Sequence, residues 1–174
     1  MKRPLSVLFA VAAIATMLAL PVSAEKRVAL VIGNGAYKTS TTLKNPPNDA
    51  ADVAAALKAV GFTVTVLTDA KREAMEKAVR DFGIALKDPD AVGLFYYSGH
   101  GAQVDSINYL LPVDADIQAE DELAYKAVNA EQVLAKMRSA GNRLNIVILD
   151  ACRNNPFPGS DRKSTRLNSS HRIR

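Results

Sequence analysis

Three observations predict an α/β fold in which helices cover both faces of a mostly parallel sheet of about four strands. Apolar runs alternate with helical patterns along the chain. The first run, 27–32, is continuous in Val, Ala, Leu and Ile, as a strand buried on both faces should be. Two later runs, 91–97 and 144–149, end in polar residues able to do chemistry. Strand–helix alternation of this kind gives a layered domain with right-handed crossovers between parallel strands.

The elements follow in order. The strand at 27–32 ends at Gly33-Asn34-Gly35, and 38–47, rich in Thr, Asn and Pro, reads as a loop. That Gly-Asn-Gly has neither dinucleotide-binding nor P-loop spacing, so it is not a phosphate loop. Asn48 or Asp49 caps a helix whose apolar positions Val53, Ala56, Leu57 and Val60 have helical spacing, with Gly61 as its stop. A second strand is expected at 62–67. A helix follows over about 70–86, with Met75, Val79, Phe82 and Leu86 on its buried face. Pro89 breaks the chain before the third strand at 91–97. Residues 102–127 are less regular and hold an acidic run, Asp114 to Glu122. Asn129 caps a helix over 130–140, with Val133, Leu134 and Met137 inward and Gly141 as stop, and 144–149 is the fourth strand.

Composition limits the function classes. With 174 residues, 48% hydrophobic and 23% charged, the chain suits one domain with a core. Its net charge of +4 resides in its ends: without 1–24 and 160–174, 15 basic and 17 acidic residues remain, a net of −2. The basic balance is therefore no argument for a nucleic-acid partner. Residues 1–24 read as a secretory signal peptide: Lys2 and Arg3, an apolar stretch 5–20, and the small-residue site Val22-Ser23-Ala24, giving a mature start near Glu25. Its removal leaves no stable membrane span, and the protein is expected to be exported, to a periplasm or outside the cell. Residues 160–174 are polar, basic and aperiodic. The run 162–171 looks like translated adapter DNA, and the whole is read as a foreign or disordered tail.

The two strand ends carry the chemistry. One reads Ser98-Gly99-His100-Gly101, the other Asp150-Ala151-Cys152-Arg153. Ligands bind beyond the carboxyl ends of strands in an open parallel sheet. Neighbouring strands of this kind would set an imidazole beside the chain's one cysteine, the minimum for a base-activated thiol nucleophile. Cys152 has two readings, a small buried hydrophobe or a reactive thiol one residue past a polar strand tip. Between Gly99 and Gly101, His100 is open to a substrate backbone, and the Gly101 amide is expected to be free. The amides of Gly101 and Cys152 are the candidate donors to an oxyanion.

These residues resemble the caspase and metacaspase group of cysteine peptidases, most closely exported bacterial caspase-like proteins. His100 and Cys152 are 52 residues apart, and caspase signatures place the histidine about 50 residues upstream of the cysteine. Supporting pieces lie in order: 29–34 as first strand, Asn48-Asp49-Ala50 opening the first helix, and 108–114 after the histidine. The resemblance covers about 27–158. It implies a caspase–haemoglobinase-like three-layer sandwich and a domain over 25–159. It also implies C-terminal strands that are absent after Pro158, so the catalytic domain is read as truncated. The expected activity is cysteine endopeptidase action on a polypeptide substrate, with His100 and Cys152 as the dyad.

Two features of the resemblance bear on selectivity and cofactors. Caspases carry a glutamine two residues before the cysteine and an upstream arginine, which together hold a substrate aspartate. Here Asp150 takes that place, as in metacaspases, and a carboxylate at a pocket base selects Arg or Lys by direct pairing. Asp105, Asp114 and Asp116 are candidates for a second pocket carboxylate, and a turn-capping Asp150 is the competing reading. No cofactor is required. Some metacaspases need calcium, but 114–122 lacks alternating oxygen ligands around a central glycine, and a solvated loop is the better reading. A caspase-like scaffold that binds without cleaving, and a transpeptidase using the same thioester, are the alternatives. The sequence leaves the oligomeric state open.

Overall fold

The structure is a computed structural model that describes residues 25–152. The expected signal peptide, with its cleavage site before Glu25, and the expected tail lie outside the described residues. So do Arg153 and its successors, and Cys152 is placed by its backbone alone.

The elements run β1 (Arg27–Gly33), α1 (Pro46–Ala59), β2 (Thr63–Thr68), α2 (Arg72–Ala85), β3 (Val92–Val104) and β4 (Ile107–Leu110). A 3-10 turn (Glu120–Glu122), α3 (Leu123–Lys126), β5 (Val128–Asn129), α4 (Ala130–Ser139) and β6 (Leu144–Cys152) complete them. Four strands form a parallel sheet in the order β2-β1-β3-β6. The far half of β3 carries an antiparallel extension, β4 then β5.

Strand alternation builds the layers. Val28, Leu30 and Ile32 of β1, with Phe95 and Tyr97 of β3, bury against Met75, Val79 and Phe82 of α2 and Val133 and Met137 of α4. Ala29 and Val31, with Leu94 and Tyr96, face the other way onto Ala50 of α1. The small residues at this second face let α1 approach closely. A Cβ on Gly33 would lie 2.2 Å from the Pro46 carbonyl, so only glycine fits where β1 ends against the start of α1.

Several expectations need correction. The sheet has six strands where about four were expected, because 102–127 hides β4, the hairpin partner of β3, and Val128–Asn129 adds a short strand. β3 does not stop at Tyr97: it continues through Ser98-Gly99-His100-Gly101 to Val104, since β4 supplies a new partner where β1 ends. Likewise β6 runs on to Cys152, which is a strand position rather than a turn position. Helix α1 begins at Pro46, two residues before the expected cap, and Asn45 caps it without a side-chain hydrogen bond. Proline at the first helical position has the required φ and no N–H to leave unpaired. The buried face of α1 is Pro46, Ala50 and Ala54, while Ala56 and Val60 are exposed.

Other elements match. Asn129 caps α4, its side chain accepting from the Glu131 N–H. Gly61 and Gly141 follow α1 and α4 at φ 88° and 72°. No helix among the described residues is long and apolar enough to cross a membrane.

Candidate active site

The strand order reverses at β1: α1 carries the chain to β2 on one side, and α2 returns it to β3 on the other. Crevices at such a switch point, beyond the carboxyl ends of the strands, are where open α/β sheets bind ligands. A cleft of about 450 Å³ lies there, lined by Thr42, Asn45, Asp49, Ser98, Gly99 and Asp150 among others.

The register brings the two sequence-predicted strand ends together. β3 and β6 pair in parallel with Ser98 opposite Asp150, Gly99 opposite Ala151 and His100 opposite Cys152. Adjacent strands run about 4.8 Å apart. The 52-residue separation in sequence thus closes to one lateral step across the sheet.

His100 is half-buried and held from several directions. Its Nε2 lies 2.7 Å from the Thr41 carbonyl oxygen. A carbonyl can only accept, so Nε2 carries the proton in the neutral ring and Nδ1 holds the free lone pair. The ring sits against that of Tyr37, with centroids 4.5 Å apart at 49°. The His100 N–H donates to the Tyr37 hydroxyl at 2.7 Å. The His100 carbonyl accepts from the Tyr97 hydroxyl at 2.7 Å and from the Leu111 N–H at 3.0 Å. Burial keeps both phenols above their usual pKa, Tyr97 well above it, so both are neutral hydroxyls at neutral pH.

Gly99 makes this convergence feasible. Its φ is 153°, and a Cβ there would lie 2.5 Å from the Tyr37 hydroxyl and 2.7 Å from that of Tyr97. Gly101 is buried opposite Leu110 of β4. Both backbone groups of His100 face the β1–β4 side, so strand alternation turns the Gly101 N–H toward β6, where the His100–Cys152 rung engages it in the ladder rather than leaving it free as expected.

Asp150 is exposed and opens on the cleft together with the half-buried Asp49 of α1. Both press on Tyr96, whose pKa is raised first by burial and then by the charges of Asp150 and Asp49. The second carboxylate at the cleft is therefore Asp49, not the candidates suggested by sequence. Asp114 accepts from the Arg72 N–H, Asp116 from the Gln118 side chain, and Asp105 sits in the β3–β4 turn at φ 49°. Asp49 was hidden because in the sequence it reads as a helix cap, whereas the helix starts at Pro46 and Asp49 stands in its first turn. Tyr37 and Thr41 were missed because their loop shows no periodicity.

The acidic run is occupied by local bonds. Glu122 accepts from the Gln118 N–H and pairs with Lys126 at 3.0 Å; hydrogen bonds from Gln118 and Lys126 hold its pKa below the usual carboxylate value. Among the described residues, no three His, Cys, Asp or Glu converge as a metal site would need.

Comparison with known proteins agrees with this layout. A family model described as Caspase domain matches residues 26–172. Mucosa-associated lymphoid tissue lymphoma translocation protein 1 from Homo sapiens, and its homolog from Mus musculus, are each 33% identical over 130 residues. Those matches cover 75% of this chain and 15% of each relative, so the chain spans a small part of the curated relatives it matches.

Proposed function

This chain belongs to the caspase-domain family, and on that premise we propose that it is a cysteine-type endopeptidase cleaving after arginine or lysine. The observation that carries the reading is the β3–β6 register, which sets Cys152 opposite a histidine whose tautomer is fixed by Thr41, beside a cleft bearing two carboxylates.

The steps follow from that arrangement. Asp49 and Asp150 hold the cation of the substrate side chain, with charge-assisted hydrogen bonds fixing its depth. Nδ1 of His100 takes the Cys152 thiol proton, and the sulfur attacks the peptide carbonyl carbon. The carbonyl electron pair moves onto oxygen, and the amides of Gly101 and Cys152, on leaving their ladder bonds at the end of the β3–β6 pair, donate to it. Collapse breaks the C–N bond. His100 returns its proton to the leaving amine, and a thioester remains. Water then gives a proton to His100, its oxygen adds to the thioester carbon, and collapse releases the acid and restores the thiol. No step calls for a metal or cofactor.

We likewise propose export with cleavage before Glu25, which N-terminal sequencing of the secreted protein would test. The activity test is hydrolysis of short fluorogenic peptides ending in Arg, Lys, Asp or Asn, compared between wild type and Cys152→Ala. Cysteine-dependent turnover of Arg and Lys peptides is expected. Asp-directed turnover would remove the role given to Asp150 and Asp49. Ligated products in the presence of an added amine would turn the reading to a transpeptidase. A folded protein without turnover, with or without calcium, would turn it to a binding scaffold.

A further inference from the structure

β3 changes partner at the histidine, and the exchange leaves a gap. On the β1 side the last rung is the Asn34 N–H to the Ser98 carbonyl, at 2.9 Å. The next carbonyl on that edge, that of His100, already belongs to β4 through the Leu111 N–H. Between them the His100 N–H has no strand to meet, because β1 ends at Gly33 and the chain turns away. A buried backbone donor without a partner is costly, so the gap has to be filled.

Two hydroxyls fill it. The Tyr37 oxygen accepts the His100 N–H, and the Tyr97 hydroxyl donates to the His100 carbonyl, each at 2.7 Å. The hydroxyls are 3.2 Å from each other, and both reach the Leu111 carbonyl, at 3.3 Å for Tyr37 and 3.0 Å for Tyr97. That carbonyl also accepts from the fully buried Asn34 side chain at 3.1 Å. Every side chain in this network is almost completely buried, so water does not compete for these bonds. Tyr37 also lays its ring on the imidazole, so one side chain fixes both the backbone and the ring of His100.

We propose that Tyr37 and Tyr97 are positioning residues for His100: their paired hydroxyls clamp its peptide on both sides and hold the imidazole between the Thr41 carbonyl and the Cys152 position. Neither hydroxyl touches the reacting atoms. Resting on the peptidase reading, the proposal predicts that loss of one hydroxyl lowers turnover rather than substrate binding, because the base no longer stays where the proton must go.

The test is Tyr37→Phe, which removes a single oxygen and keeps the ring. Expected is a fall in kcat on Arg peptides of about tenfold or more, with KM within about twofold. The second readout needs no activity: the imidazole nitrogen shifts of His100, measured by NMR. The chain has two histidines, His100 and His171, so His171→Asn assigns the signals. Wild type should show one Nε2–H tautomer, and Tyr37→Phe an average of two. A purely structural tyrosine would lower the unfolding midpoint but leave the kcat of the folded protein and the shifts unchanged, and that result overturns the proposal. If Tyr37→Phe does not fold, Tyr97→Phe, which removes the donor to the carbonyl, carries the same expectations. Absent turnover in wild type together with altered shifts in the variant would refute the peptidase reading while supporting the clamp.

Discussion

The His100 stretch of β3 and the end of β6 lie side by side yet are held in different ways. In β3, His100 is fixed through backbone N–H, backbone carbonyl, ring face and ring nitrogen by Tyr37, Tyr97, Leu111 and Thr41. The β6 tip is held along one edge, by its ladder to β3, and no described strand lies on its other edge. Burial follows the same division: 91–99 is buried throughout, whereas Leu144, Ile148, Leu149 and Asp150 are exposed. In the proposed dyad the base would be preorganised by the core, and the nucleophile's strand would take its position from the base's strand.

Removing the chemistry gives the largest effect. His100→Ala should cut turnover by roughly 10²- to 10⁴-fold, the usual weight of a positioned acid–base, with the unfolding midpoint little changed. A comparable loss of stability would show that the clamp, not the imidazole, was what mattered. Asp150→Asn should lower kcat/KM for Arg and Lys peptides roughly 10- to 100-fold, as loss of a charge-assisted hydrogen bond does. Neutral P1 residues should be spared; a uniform drop across substrates would mean that Asp150 supports β6 rather than selecting a cation.

Stability should divide as these two stretches do. Gly99→Ala places a methyl between two buried hydroxyls and should cost about 1–3 kcal/mol in urea unfolding. The buried phenols add a pH effect. Their folded pKa values are raised, so the unfolded chain loses these protons first, near pH 10. Their contribution is complete below about pH 10 and falls as pH rises beyond it. Urea midpoints between pH 8 and 11 should decline in wild type and decline less in Tyr97→Phe. In β6, Ile148 is 44% exposed, and Ile148→Thr should shift stability by no more than about 0.5 kcal/mol. A larger cost would show that the outer side of β6 is covered.

What the sequence made legible follows the same physics. The parallel core was readable because buried strands announce themselves as continuous apolar runs, as at 27–32 and 91–97. The cap at Asn129 and the stops at Gly61 and Gly141 were readable because capping is local chemistry. His100 and Cys152 stood out as rare reactive types just past the two apolar runs. The far half of β3 was not readable, because glycines and a histidine carry no strand signal and β4 alone makes them a strand. Tyr37, Thr41 and Asp49 were not readable as site residues, since their roles exist only once β1, α1 and β3 are packed together.

The loop between β1 and α1 has a consequence for how this protein could be altered. Within a few residues it supplies Tyr37 and Thr41 to the histidine and Thr42 and Asn45 to the cleft. Exchanging that loop for another, the ordinary route to a new specificity, would unseat His100, the proposed base, along with the cleft wall. Retargeting by point changes at Asp49 and Asp150, which rest on α1 and β6, leaves the loop intact. If the proposed roles hold, lineages that diversify through these two positions can do so gradually, while those that rebuild the loop must re-establish the seat of His100 at the same stroke.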